Sequence, residues 1–212
     1  MIVALAGQKG GTGKSTIATN LAATYHRRRQ RTLLVDGDPQ RSSLTWSARA
    51  GELDHDAPPV VGMGADMARK GQLPRLAAEY DRVVIDCPPS NGPVPRAAMR
   101  VADLVIVPWR PGPTDAWSLA ETLDLAADEE VATVIAITQC DHRTALGRGA
   151  RDQLADIGVH VMTSALRLRV AYPEAMASGQ EVATYAPRGA AAKEFKAFAA
   201  EVERLLKGLR DG

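Results

Sequence analysis

Long apolar runs are missing from this sequence. No stretch approaches the roughly 18–20 apolar residues that a membrane-spanning helix needs, and no basic segment followed by an apolar one opens the chain. Neither a span nor a secretory leader is expected, and the chain is read as cytoplasmic. Cysteine is scarce. Cys87 and Cys140 lie far apart and form no CxxC pair, which argues against a disulfide framework, a thiolate metal site or an iron–sulfur centre. Aromatics make up only 4% of the residues, too few for a base-stacking, single-strand-binding surface. Net charge is nearly absent as well, at +1 over 212 residues, so any attraction to nucleic acid must come from local patches.

What is there fits one globular unit, 1–212, with 45% hydrophobic and 24% charged residues. Short runs rich in Val, Ile and Leu, at residues 2–6, 32–35, 83–85, 104–107 and 131–137, read as buried parallel strands. Helix-like segments at 14–28, 65–79, 94–101, 115–127 and 145–156 lie between or beyond them. This alternation implies βαβ crossovers: a single-domain α/β fold whose mostly parallel twisted sheet carries helices on both faces. Residues 51–64 read as a surface excursion with a short strand at 60–61. The last segment, 190–209, places Phe195, Phe198, Ala199, Val202, Leu205, Leu206 and Leu209 on one helical face. Such a face is expected to pack on the protein's own sheet, without the aromatic or strongly basic character of a membrane anchor.

Breakers follow the strands: Gly10, Gly11 and Gly13, then Pro39, then Pro88 and Pro89, then Pro108, Pro111 and Pro113. Ligands in open α/β sheets bind outside the carboxyl ends of strands, so these loops should line a site. The first of them, from Gly7 through Thr16, fits GxxxxGK[ST] after a strand and before a helix. Gly10, Gly11, Thr12 and Gly13 let backbone N–H groups turn toward phosphate oxygens. The helix that follows adds its N-terminal dipole. Lys14 brings a mobile charge to the β- and γ-phosphates, Ser15 a hydroxyl for Mg²⁺, and Thr16 completes the motif. Asp86 ends an apolar strand, as the metal-side carboxylate of such a site must. Asp36 and Asp38 follow another strand and offer a group to orient an attacking water.

The loop has a second lysine, Lys9. Together with Asp36-Gly37-Asp38-Pro39-Gln40 and Asp86-Cys87-Pro88-Pro89, the stretch Lys9-Gly10-Gly11-Thr12-Gly13-Lys14-Ser15-Thr16 resembles the ParA/MinD family of deviant Walker A ATPases, over nearly the whole chain. The resemblance implies ATP/ADP and Mg²⁺ as cofactors and slow, partner-stimulated hydrolysis. It implies that Lys9 reaches across a homodimer to the partner's phosphates, that Asp38 positions the hydrolytic water, and that Asp86 holds Mg²⁺ through water. Gln139 and Pro187 are implied near the base. Because the chain begins at the P-loop strand, it resembles the small partition type, which works with a separately encoded partner and positions a plasmid, a chromosome region, a chemoreceptor cluster or another cytoplasmic body. Nonspecific DNA is the expected surface for the dimer, with Arg167 and Arg169 as phosphate contacts and the basic residues from Lys193 to Arg210 as an accompanying stripe. The run His26–Arg31 is read instead as the solvated end of the first helix, where cations complement the dipole. Two alternatives stand beside this: a MinD-like membrane-surface ATPase, and a small biosynthetic P-loop enzyme of the dethiobiotin synthetase type, which has no use for Lys9.

Overall fold

The computed structural model describes residues 1–112 and 115–211, with the backbone alone for Lys70, Asp115 and Ala116. Pro113 lies outside the described residues. Seven strands form one sheet: β1 Ile2–Leu5, β2 Thr32–Asp36, β3 Val60–Gly62, β4 Arg82–Asp86, β5 Leu104–Trp109, β6 Thr133–Ile137 and β7 His160–Val161. Their order is β3-β2-β4-β1-β5-β6-β7, and every pairing among the described residues is parallel. The helices are α1 Lys14–Arg27, α2 Ser42–Glu52, α3 Gln72–Ala77, α4 Pro93–Val101, α5 Asp115–Asp128, α6 Ala145–Arg148, α7 Ala171–Ala177, α8 Val182–Tyr185 and α9 Ala190–Asp211.

The strands are buried on both faces, which explains why they read as continuous apolar runs. Val3, Leu5, Leu34, Val84 and Ile106 point to one face and meet α1, α7, α8 and α9. Ala4, Leu33, Val35, Val83, Ile85, Val105 and Val107 point to the other, under α3, α4 and α5. α9 lays Phe195, Phe198, Ala199, Val202 and Leu206 into the first layer, with Phe195 and Phe198 rings 5.5 Å apart. Its apolar stripe is thus spent inside the protein, as expected from the sequence, although Leu209 at its end is half exposed.

Two expected helices are broken. Residues 65–79 form a 3-10 segment, Ala65–Gly71, and then α3, because Gly71 turns into the left-handed region (φ +67°) and Pro74, early in α3, has no N–H with which to continue the preceding turn. Residues 145–156 shrink to α6 and a 3-10 turn, Asp152–Leu154. The carbonyl of Asp141 crowds Gly147 so closely that a Cβ there would lie 2.0 Å from it. Three elements went unforeseen: α2, the short α8 and the two-residue β7.

Phe198→Ala should destabilise the fold by about 3–5 kcal/mol, the usual cost of emptying a ring-sized core site. Urea denaturation checks this. A loss below about 1 kcal/mol would mean that α9 is not part of the core.

Candidate functional site

β1 ends at the sheet's centre, and the chain from Gly7 to Gly13 curls over its carboxyl end before α1 begins. Gly11 and Gly13 both take left-handed backbone angles (φ +72° and +95°). A Cβ at either position would meet nothing within 4 Å, so the demand for glycine is one of backbone conformation rather than space. Gly13 is the N-cap of α1 and has no side chain to cover the first-turn N–H groups, which leaves them facing outward from the helix. That is an anion cradle.

Lys14 is buried, and its Nζ donates to the Lys9 carbonyl at 2.8 Å, so the ammonium is bent back along the loop. Burial lowers its pKa from the ordinary lysine value, opposed chiefly by the charge of Asp86. The loop is braced from neighbouring strands and helices. Thr138 Oγ1 donates to the Thr12 carbonyl at 2.8 Å, Gln139 Nε2 to the Gly11 carbonyl at 2.5 Å, and the Gln8 N–H to Thr122 Oγ1 at 3.3 Å.

The parallel register sets the carboxylates. Asp86 sits beside Leu5 on one side and Asp36 on the other. Asp86 is fully buried, and Ser43 Oγ donates to its Oδ2 at 2.8 Å, while its Oδ1 is buried without a hydrogen-bond partner. Burial raises its pKa to about 6, with Ser15 and Ser43 opposing. An orphaned carboxylate oxygen beside a serine and a lysine fits a hydrated cation that phosphates help to hold. It does not fit an all-protein cage, and no group of three or more acidic, His or Cys ligands gathers among the described residues.

Asp36 serves the fold. Its Oδ2 accepts from the Leu44 N–H at 2.9 Å and its Oδ1 from the Asp38 N–H at 3.0 Å. It therefore caps α2 from a distance, since the N-cap residue Arg41 makes no side-chain cap of its own. The cap sets Asp38 half-buried at the mouth of the site, with its Oδ1 accepting from the Gln40 N–H at 2.9 Å. Sequence reasoning missed Ser43 and α2. The pair Ser42–Ser43, just ahead of Leu44 and Trp46, was the available helix-start signal.

Two cavities meet at the loop. One, of about 360 Å³, is lined by Gly10, Gly11, Gly13, Lys14, Ser15, Thr16, Asp38 and Gln139 among others. The second, about 620 Å³ and largely apolar, runs from Thr16 and Gln139 along Leu166, Leu168, Val170 and Tyr172. Gln139 lies on the border of both. Pro187 is exposed between α8 and α9 and lines neither. Arg167 and Arg169 flank the second cavity but share one carboxylate. Arg169 Nη2 lies 2.5 Å from Glu194 Oε1, and Arg167 Nε 3.4 Å from the same oxygen. Cys87 and Cys140 are both buried, and burial pushes both thiols above their ordinary range. The run at the end of α1 is exposed at Arg27, Arg28 and Arg29, though Arg27 pairs with Glu181 and Arg31 with Asp81.

A strand, a glycine turn with left-handed residues, a helix N-terminus, a buried lysine and a carboxylate on the adjacent strand define a P-loop nucleotide-binding protein. The chain belongs to the CobQ/CobB/MinD/ParA nucleotide-binding-domain family, whose model matches residues 3–182. It is 30% identical over 201 residues to the maintenance of carboxysome distribution protein A of Halothiobacillus neapolitanus, covering 91% of each chain. It is 32% identical over 237 residues to the chromosome-partitioning ATPase Soj of Thermus thermophilus, covering 94% of each. Among solved structures, a plasmid partition protein of Borrelia burgdorferi bound to AMPPNP superposes with a TM-score of 0.77 at 18% identity, over 96% of this chain and 98% of that one.

The raised pKa of Asp86 has a consequence without nucleotide. Between the unfolded value near 4 and about 6, the folded protein holds the extra proton, so the contribution of this group to stability falls as pH rises through that window. Asp86→Asn should therefore stabilise the nucleotide-free protein at pH 7 relative to pH 4, by roughly 1–3 kcal/mol. Thermal melts of the two proteins across pH would show this. Parallel pH profiles would mean that Asp86 is not held in a desolvated state.

Proposed function

We propose that this protein is a ParA-like ATPase that dimerises on ATP and releases the dimer on hydrolysis. The observation that carries this reading is Lys9. A P-loop already supplied with Lys14 has one lysine more than ATP binding requires, and a lysine acting in the partner's site makes hydrolysis depend on association.

In this reading the N–H groups of Gly10 through Ser15 hold the phosphates, and Lys14 swings from the Lys9 carbonyl to the β- and γ-oxygens. Ser15, through its hydroxyl, and Asp86, through its orphaned Oδ1, would hold the Mg²⁺. The ion, when bound, neutralises charge on the phosphates. Asp38 orients the attacking water, held in place by the Asp36 turn. Gln139, at the border of the two cavities, faces the nucleoside, and Leu166, Leu168, Val170 and Tyr172 of the second cavity offer it an apolar wall beside Arg167 and Arg169. Pro187 would join this wall only from the α8–α9 connection.

The relatives' names speak of carboxysome distribution and chromosome partitioning. By that likeness the dimer positions a cargo, whether a plasmid, a chromosome region or a protein body, in the cytoplasm with a separately encoded stimulating partner. Nonspecific DNA is the surface on which it rests. A membrane surface is less well supported, because the apolar stripe of α9 is already buried against the sheet. No helix among the described residues is long and apolar enough to cross a membrane.

Light scattering should show a monomer-to-dimer change on adding ATP and Mg²⁺ and a persistent dimer for Asp38→Ala, and phosphate release should show no dimer-dependent hydrolysis for Lys9→Ala. A Lys9→Ala protein that hydrolyses ATP normally, or that retains transfer of phosphate to a small molecule, would overturn the switch in favour of a biosynthetic enzyme.

The protein also carries its own reporter. Trp117, in the first turn of α5, is 86% exposed, whereas Trp46 and Trp109 are 2% and 4% exposed. α5 is joined to the P-loop through Gln8 and Thr122, so a partner seated over Lys9 should cover Trp117. Iodide quenching of tryptophan fluorescence should fall when ATP and Mg²⁺ form the dimer. Unchanged quenching in a dimer seen by scattering would place the interface on another face.

A further inference from the structure

α2 is a short helix that is fixed along its length. At its start the Leu44 N–H meets Asp36 Oδ2 at 2.9 Å, and the Arg41 N–H closes a turn on the Asp38 carbonyl at 2.9 Å. Further along, Trp46 Nε1 donates to the Gln180 carbonyl at 3.2 Å. Ala50 is pressed against Gly179, where a Cβ would lie 2.4 Å from the Ala50 nitrogen. The helix is thus pinned to β2 at one end and to the turn between α7 and α8 at the other. Ser43, its second residue, is fully buried. A serine in the first turn of a helix ordinarily hydrogen-bonds to nearby backbone. The buried Thr19 follows that habit within α1, donating to the Ser15 carbonyl at 2.9 Å. Ser43 does not. Its hydroxyl leaves the helix and donates to Asp86 Oδ2 on β4, at 2.8 Å.

We infer, on the reading of Asp86 as the Mg²⁺-side carboxylate, that Ser43 is a positioning residue: it fixes the Asp86 side chain so that Oδ1 is the oxygen left to face the ion, and it ties that carboxylate to the helix whose leading turn carries Asp38. Three features carry this. The last torsion of an aspartate is broad and roughly two-fold, so a bond to one oxygen is what makes the two oxygens different. Oδ2 has the Ser43 proton, and Oδ1 is buried with no hydrogen-bond partner. The support is rigid, because α2 is anchored independently of Asp86 and its hydroxyl orients the carboxylate instead of following it. The turn from Asp38 to Leu44 is also bonded to both carboxylates of the row. It meets Asp36 through the N–H groups of Asp38 and Leu44, and Asp86 through Ser43. The water-orienting and metal-side carboxylates are therefore held at a set separation by one short segment of chain.

The test uses Mn²⁺ in place of Mg²⁺, titrated into the protein with ADP, with the free ion counted by its paramagnetic resonance signal. Ser43→Ala should weaken Mn²⁺ binding about tenfold, as expected for loss of a group that orients a metal's ligand. ADP binding in EDTA should stay within about twofold of wild type, because the phosphate cradle is untouched. Ser43→Thr, which keeps the hydroxyl, should restore most of the Mn²⁺ affinity. In an Asp86→Asn background, Ser43→Ala should change that affinity by less than about twofold, since the serine acts through the carboxylate. Wild-type Mn²⁺ affinity in Ser43→Ala, or an equal loss in the Asp86→Asn background, would overturn the assignment. So would a matching loss of ADP binding in EDTA, which would make Ser43 a support of the whole loop, or a Ser43→Thr protein that melts like wild type and binds Mn²⁺ like Ser43→Ala. Wild-type protein that adds nothing to the Mn²⁺ binding of ADP alone would overturn the metal role of Asp86 itself, and that of Ser43 with it.

Discussion

The parallel register of β2, β4 and β1 is the constraint on which the site depends. It pairs Asp36 with Asp86 and Asp86 with Leu5, so two carboxylates and the start of the phosphate loop fall in one row at the carboxyl edge of the sheet. Burial on both faces then fixes that row rigidly, because a shift by one residue would turn every core side chain of a strand to the wrong layer. One of the two carboxylates becomes a cap that builds the loop carrying Asp38. The other becomes a desolvated acid with one oxygen unmet. Their different uses follow from what each reaches: Asp36 meets the N–H groups of Asp38 and Leu44, while Asp86 meets Ser43 and the charge of the P-loop lysine.

Electrostatics in the apo site are unfavourable in a useful way. Lys14 and Asp86 are both buried, and burial disfavours the charged form of each. A triphosphate with its cation would give each the opposite charge that it lacks. The glycines at 11 and 13 supply the left-handed backbone angles that the cradle needs.

Much of this was legible in the sequence because it was local. The Gly-rich turn, the strand ending in Asp86 and the buried strands each show in a dozen residues or fewer. The α9 face showed in its period. What escaped depended on distant partners. Ser43 matters because β2 and β4 are neighbours, which no local pattern states. The helix expected at 65–79 broke at Gly71, and the one expected at 145–156 ended after Arg148, where α6 packs so closely on the 141–144 loop that the Asp141 carbonyl crowds Gly147, a contact that exists only in the folded loop. Arg167 and Arg169 looked like free cations because Glu194 is far along the chain, one turn into α9.

That Lys9 works in the partner's site is tested most directly by mixing two inactive variants. Lys9→Ala keeps its own Asp38, and Asp38→Ala keeps a lysine to lend. In a mixed dimer, the Lys9→Ala protomer has both the carboxylate it needs and a lysine from its neighbour. With Lys9 acting in trans, ATP hydrolysis, near background for each variant alone, recovers on mixing to a substantial fraction of the wild-type rate. Mixed dimers that form, as shown by labelled subunits, and yet remain inactive would contradict it.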